Sequence, residues 1–465
     1  MQYTLHMVQL DEEAIVTTDR RSGAQTARGT LDRRALQRVR AEPVGLLDKG
    51  WPPALWGRRV DQLLQDRAAL SGFPTPLVTL DRAALTANIQ AMATWTSRHG
   101  IALAPHGKTT MAPQLWQEQL DAGAWGITVA NLTQLAVARA FGVSRVQVAN
   151  ALISPLGLRW VAEQLAANPH VRIVTWADST AVVDIMAAAL AGANVDATRS
   201  PLDVLVELGG DGGRTGARTV QEAMAVARAV AAAPTLRLAG VTGYEGALAH
   251  DASQESLDRV RAYLLELVRL HQLVAEAGWY GTEPPLLSAG GSAYPDVVAD
   301  VLGPLAQHGE ATVLLRSGAY VTHDDGYYRQ VSPWGRSPRT DGAPLRAALH
   351  GWVRVSSRPE PGLAIVDGGK RDLPFDEGLP KVQLLRGRAS TEPPIPVTGL
   401  EVTALNDQHG FVRLHPGCTP LAVGDELRLG LSHPCTTFDK WRLIPVVDDA
   451  DAADPVVVDA VRTFF

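Results

Sequence analysis

The sequence predicts a TIM-like (β/α)8 barrel, of α/β class, followed by a C-terminal all-β domain. Three observations carry that prediction. Short apolar runs alternate with helical patterns at intervals of about 25–35 residues, the rhythm of parallel βα units. Roughly eight such units fit into about 250 residues, which favours a closed barrel over an open doubly wound sheet. After Tyr328 the helical periodicity stops, and short β-like runs punctuated by Gly, Pro and Asp take over.

Taken in order, residues 1–70 read as an N-terminal extension packing on the body, with a strand at 14–18 and a basic helix at 31–39. Residues 71–330 read as the barrel. A strand at 76–80 opens it, and Asp81 caps a helix over 82–99 whose Leu85, Ile89, Met92 and Trp95 recur at helical spacing. Strands at 101–104, 126–130, 146–149, 171–175, 202–208, 236–242, 286–288 and 313–315 follow, most of them succeeded by a helix. Residues 331–465 read as a β domain with strands near 347–355, 364–366, 382–385, 397–405, 411–414 and 426–431. Its apolar tail at 456–465 is expected to pack back.

Composition narrows the function classes. A chain of 465 residues with 46% hydrophobic and 20% charged residues has the make-up of a globular protein with a large core. A net charge of −6 argues against nucleic-acid or anionic-membrane partners. Cys418 and Cys435 are too few for a disulfide framework, which points to a reducing compartment. The start of the sequence shows no signal-peptide pattern, and the longest apolar helical run, 181–193, is broken by Asp184. A soluble protein of the cytoplasm is the expectation.

Four constellations carry chemistry. The first is Ala104-Pro105-His106-Gly107-Lys108-Thr109, a lysine in a forced turn at a strand end, where barrels do their chemistry. A lysine that bonds a carbonyl must be partly unprotonated, which needs low dielectric or a neighbouring cation. By itself the motif also fits a solvated charge. The second is a pair of glycine-bearing loops after the last two strands, Gly290-Gly291-Ser292 and Gly318-Ala319-Tyr320, suited to a phosphate. The third, Glu207 to Gly216, surrounds Arg214 with glycines, and either ligand approach or a mobile turn explains it. In the fourth, His433-Pro434-Cys435, an extended backbone would put imidazole and thiol on one face, a pairing that suits zinc. For a bare His-x-Cys, a buried Cys beside a capped His is the simpler reading.

Together these motifs resemble the fold-type III pyridoxal-phosphate enzymes, in particular the D-serine dehydratase and D-threonine aldolase branch of the alanine racemase-like family. The run from His433 to Trp441 is similar to bacterial proteins called amino acid deaminases. The resemblance implies that Lys108 bonds pyridoxal 5'-phosphate and serves as the catalytic base. It implies that His106, Arg214, Tyr244, Gly290, Gly291, Ser292, Gly318, Ala319 and Tyr320 bind the cofactor. It implies that His433 and Cys435 hold a divalent metal, with Cys435 in place of Asp favouring zinc. The chain departs from the pattern at Thr110, where relatives carry a second His, and at Gln134-Leu135. The implied reaction is dehydration of D-serine or D-threonine to a 2-oxo acid and ammonia in a homodimer. Aldol cleavage to glycine and an aldehyde is the alternative, with a non-catalytic cofactor-binding protein behind it.

Overall fold

The computed structural model describes residues 28–335, 338–386 and 392–465; the strand expected at 14–18 lies outside them. Strand β1 (Leu77–Asp81) is buried along its whole length. Asp81 ends it by capping the helix Arg82–Arg98, its carboxylate accepting from Ala84 N–H at 2.6 Å. Eight parallel strands follow: β2 (Ala102–Leu103), β3 (Ile127–Val129), β4 (Arg145–Val148), β5 (Arg172–Ala177), β6 (Leu202–Leu208), β7 (Leu236–Gly243), β8 (Leu286–Ala289) and β9 (Thr312–Leu315). They are hydrogen-bonded in the order β2-β9-β8-β7-β6-β5-β4-β3. The ring closes just past β2: Trp125 N–H donates to Leu103 O at 2.7 Å and Thr128 N–H to Pro105 O at 2.9 Å.

Helix starts were legible because the residues before them are caps. Asn131, Ser154, Ser179, Thr219 and Ser253 each accept a hydrogen bond from a first-turn N–H. A cap contributes about 1 kcal/mol, enough to set where a helix begins; burial of the inward faces decides the topology. The barrel interior is layered. Trp125, Val174, Leu205, Ala239, Leu286 and Leu314 form an apolar plug. Gln147, Ser288 and Arg316 form a hydrogen-bonded polar set, with Gln147 Nε2 donating to Ser288 Oγ at 3.0 Å and Arg316 to the same oxygen at 2.8 Å.

The remaining strands are β10 (Leu349–Glu360), β11 (Leu363–Val366), β12 (Lys381–Arg386), β13 (Ile395–Pro396), β14 (Leu400–Leu405), β15 (Gly410–Leu414), β16 (Glu426–Gly430), β17 (Leu443–Val447) and β18 (Val457–Arg462). The main sheet runs β13-β12-β16-β10-β1-β17-β18, with β11, β15 and β14 branching from β10. The strand at 76–80 therefore does not open the βα series. It pairs antiparallel with β10 and parallel with β17, and its uniform burial is what a central strand of that sheet requires. The apolar tail packs back as β18 against β17.

The described part of the extension straps both halves. Gly29 N–H donates to Ala124 O and Asp32 N–H to Phe141 O, under the barrel's amino-terminal rim. Further along, Arg462 pairs with Glu42 and with Asp48, and Trp51 Nε1 donates to Leu443 O at 3.0 Å. No described helix is long and apolar enough to cross a membrane.

Candidate active site

Lys108 sits on a single tight turn, Gly107–Thr109, set by closure of the barrel. Thr128 Oγ1 donates to Ala104 O at 2.7 Å, and Met111 N–H donates back to Gly107 O at 2.8 Å. Gly107 has no substitute here, because a Cβ would lie 2.9 Å from the Trp116 ring and 2.7 Å from Ile127. Met111 pays for the turn with φ of 40°, the left-handed region. Lys108 is partly buried and lines a cavity of about 280 Å³ at the carboxyl ends of the strands. His106, Arg214, Tyr244, Gly290, Gly291, Ser292, Gly318, Ala319 and Cys435 line the same cavity.

Tyr320 does not. It is buried behind the site, its hydroxyl accepting from Gln119 Nε2 at 3.0 Å. The next side chain after Gly318-Ala319 turns into the core because the loop winds into a short helical turn, Ala319–Val321.

Arg214 lies over the Tyr244 ring, 4.9 Å from its centroid. Its loop is clamped by Arg218, whose guanidinium donates to the carbonyls of Gly213, Arg214, Thr215 and Gly216 at 2.8–3.0 Å. Tyr244 is positioned by Tyr263, which accepts from Tyr244 N–H at 3.0 Å and donates to Leu208 O at 2.6 Å. Glu207, at the end of β6, accepts from Thr215 Oγ1 at 2.9 Å; burial raises its carboxyl above the ordinary range, and Asp178 adds to the shift. Burial, followed by the charges of Lys108, Arg316 and Arg214, takes His106 well below its ordinary value, so the ring is neutral at neutral pH.

The motif at 433–435 is not extended. Pro434 has helical angles (φ −58°, ψ −42°) and leads into a short helix, Cys435–Phe438. The turn, not a strand face, brings imidazole and thiol together. Cys435 Sγ is 3.5 Å from Thr109 Oγ1, next to Lys108 although 326 residues away in sequence. Burial alone would raise the Cys435 thiol, but His433, Thr109 and Lys108 together hold it below its ordinary value. Burial opposes charge on His433 as well, yet Cys435 and Asp376 raise it to about 9. Asp376 Oδ2 is 2.6 Å from His433 Nδ1, a contact no local motif announced.

These residues fit the cofactor expected from sequence. His106 and Trp176, both on the cavity wall, each hold a buried ring nitrogen with no hydrogen-bond partner. At Gly318 a Cβ would come within 2.6 Å of His106 O, so the loop approaches the lysine turn as closely as a backbone can. For a metal, His433 and Cys435 would be the two donors. No group of three or more His, Cys, Asp or Glu side chains is arranged for one among the described residues, so further positions would fall to water or substrate, as in catalytic sites.

Comparison with known proteins finds likeness in both halves of the chain. The alanine racemase N-terminal domain model matches residues 80–294, and the serine dehydratase domain model matches residues 348–447. The chain is 28% identical to a D-threonine aldolase of an Arthrobacter species over 83% of this chain and 92% of that one. In fold it is similar to the crystal structure of D-threonine aldolase from Filomicrobium marinum (TM-score 0.69, 24% identity, 85% and 96% of the two chains covered). It is similar also to D-threo-3-hydroxyaspartate dehydratase from Delftia (TM-score 0.64, 20% identity, 84% and 97% covered). With a lysine turn at the mouth of an alanine racemase-like barrel and a serine dehydratase-type β domain closing over it, the chain belongs to the fold-type III pyridoxal-phosphate family.

Proposed function

We propose that this protein is a lyase using pyridoxal phosphate and a divalent metal, zinc by the nature of its donors, to dehydrate β-hydroxy D-amino acids. D-Serine would give pyruvate and ammonia; D-threonine would give 2-oxobutyrate and ammonia. The observation that carries this reading is the contact of Cys435 with Thr109: the thiol lines the lysine's cavity, and the His433 imidazole lies against that thiol from outside the cavity lining. Lys108 would hold the cofactor, the Ser292 and Gly318 loops its phosphate, and His433 with Cys435 the metal.

Bound pyridoxal phosphate supplies an electron sink for the carbanion at Cα. A metal at His433 and Cys435 supplies Lewis acidity toward a β-oxygen, which otherwise leaves poorly as hydroxide. The chain's own residues do the rest. The Lys108 amine would be the base at hand for the α-proton. His106, kept neutral by burial and three cations, adds no positive charge that would compete for the substrate carboxylate. Tyr328 and Trp176 wall the cavity and limit water. The net change is removal of H from Cα and OH from Cβ, then hydrolysis of the resulting C–N bond.

A coupled assay on D-serine and D-threonine tests the reading. Ammonia with a 2-oxo acid supports it; glycine with an aldehyde overturns it in favour of aldol cleavage, the reading that the D-threonine aldolase relative supports. Lys108→Ala should lose the cofactor's visible absorbance band, and a chelator should abolish turnover while leaving that band. The same reading carries a homodimer, measurable by light scattering.

A further inference from the structure

Glu245 is fully buried and stands outside the side chains that line the cavity, yet its carboxylate grips the cavity's glycine loop. Oε2 accepts from Gly290 N–H at 3.0 Å and Oε1 from Gly291 N–H at 3.0 Å. The loop is held from its other side too. Gly291 O accepts from Ser317 Oγ at 2.5 Å, and Gly290 O accepts from Arg316 N–H at 3.2 Å. In a trans peptide the C=O and the following N–H point in opposite directions, so fixing the Gly291 carbonyl also fixes Ser292 N–H. Ala319 N–H donates to Ser292 Oγ at 3.2 Å. This leaves the N–H groups of Ser292 and Gly318, both on the cavity wall, without a partner among the described residues.

Resting on the pyridoxal-phosphate reading, we propose that Glu245 is the positioning residue of the phosphate site. It turns the Gly290 and Gly291 N–H groups away from the cavity and thereby aims Ser292 and Gly318 at the anion. The two glycines are therefore structural members of the cradle, and Ser292 N–H, Ser292 O–H and Gly318 N–H are its donors. A carboxylate in the cavity would repel a phosphate; behind the loop, facing the buried Arg316, Glu245 orders the donors without meeting the anion.

The test uses full-length protein stripped of cofactor and titrated with pyridoxal phosphate or with pyridoxal, which has the same aldehyde and no phosphate. In Glu245→Gln one acceptor oxygen becomes an NH2 facing an N–H, so the loop loses one of its two anchors. The dissociation constant for pyridoxal phosphate should rise about tenfold to a hundredfold, while that for pyridoxal stays within about twofold. Equal losses for both ligands, or none for either, overturn the proposal. If that variant is insoluble, Ser317→Ala, which frees the loop through the Gly291 carbonyl, should show the same selective loss, and an unselective or absent one there also overturns it. Wild-type protein that develops no absorbance band with pyridoxal phosphate refutes the cofactor reading itself, and Glu245 falls with it.

Discussion

Asp376 is the residue on which the proposed metal pair, His433 and Cys435, depends most. Its Oδ2 faces His433 Nδ1 at 2.6 Å and its Oδ1 accepts from Thr436 Oγ1 at 2.7 Å, which fixes the ring and leaves the other imidazole nitrogen as the donor. Asp376→Asn should weaken zinc binding about 10- to 100-fold, read by competition with a chromophoric chelator, with the cofactor band unchanged. Unaltered zinc affinity would show that His433 orients itself. At this scale the sequence was legible where a residue type is unusual in its setting: a lysine in a forced turn, an arginine among glycines, a thiol two residues from an imidazole. Asp376, Glu245 and Arg316 were not legible as partners. A lone acid in a loop has many uses, and only the folded chain shows that Asp376 returns to a histidine 57 residues later.

At the scale of elements, the lysine turn is buttressed from outside the barrel. Phe464 N–H donates to Met111 O at 2.9 Å, and the Phe464 ring meets Phe141 edge-on at 5.0 Å. Deleting residues 464–465 should destabilise the protein by about 1–2 kcal/mol, from one hydrogen bond and one aromatic contact, measured by the urea midpoint. It should also speed cofactor loss, because Met111 then holds its left-handed angle with one support fewer. Helix limits followed their caps, and the βα rhythm gave the barrel strands directly. The strand at 76–80 was misplaced because a short buried apolar run looks the same in a barrel and in the middle of an antiparallel sheet. The geometry at 433–435 was misjudged for a different reason: proline tolerates both extended and helical angles, and local sequence does not choose between them.

At the scale of the whole molecule, acid should loosen the β domain first. His350 is 5% exposed on β10, facing Thr79 on β1 and Gly430 on β16. Burial, aided by Arg428, lowers its value from 6.5 to about 3, against a smaller opposing effect of Asp451. The folded state thus binds fewer protons here than the unfolded one between those limits. This contribution to stability is present above pH 6.5 and is lost as pH falls toward 3, on the order of a few kcal/mol in all. His323, lowered to about 4 by burial, acts in the same direction. Asp324, raised to about 7 by burial, acts oppositely, its contribution present below pH 3.8 and lost as pH rises through 7. Thermal midpoints measured from pH 7 to pH 4.5 should fall for the wild type and fall less for His350→Leu; parallel curves would remove His350 from the account.

The placement of β1 has a consequence in time. A ribosome releases β1 early, but its partners Trp352 and Val446 emerge some hundreds of residues later. Strands β2 to β9 are complete by Leu315, so the barrel can close around the lysine turn while β1 still waits. The wall bearing Cys435 arrives with the same late segment that captures β1. A nascent chain therefore acquires its proposed covalent anchor before its proposed metal donors, and the final fastening of an early strand coincides with the completion of the site.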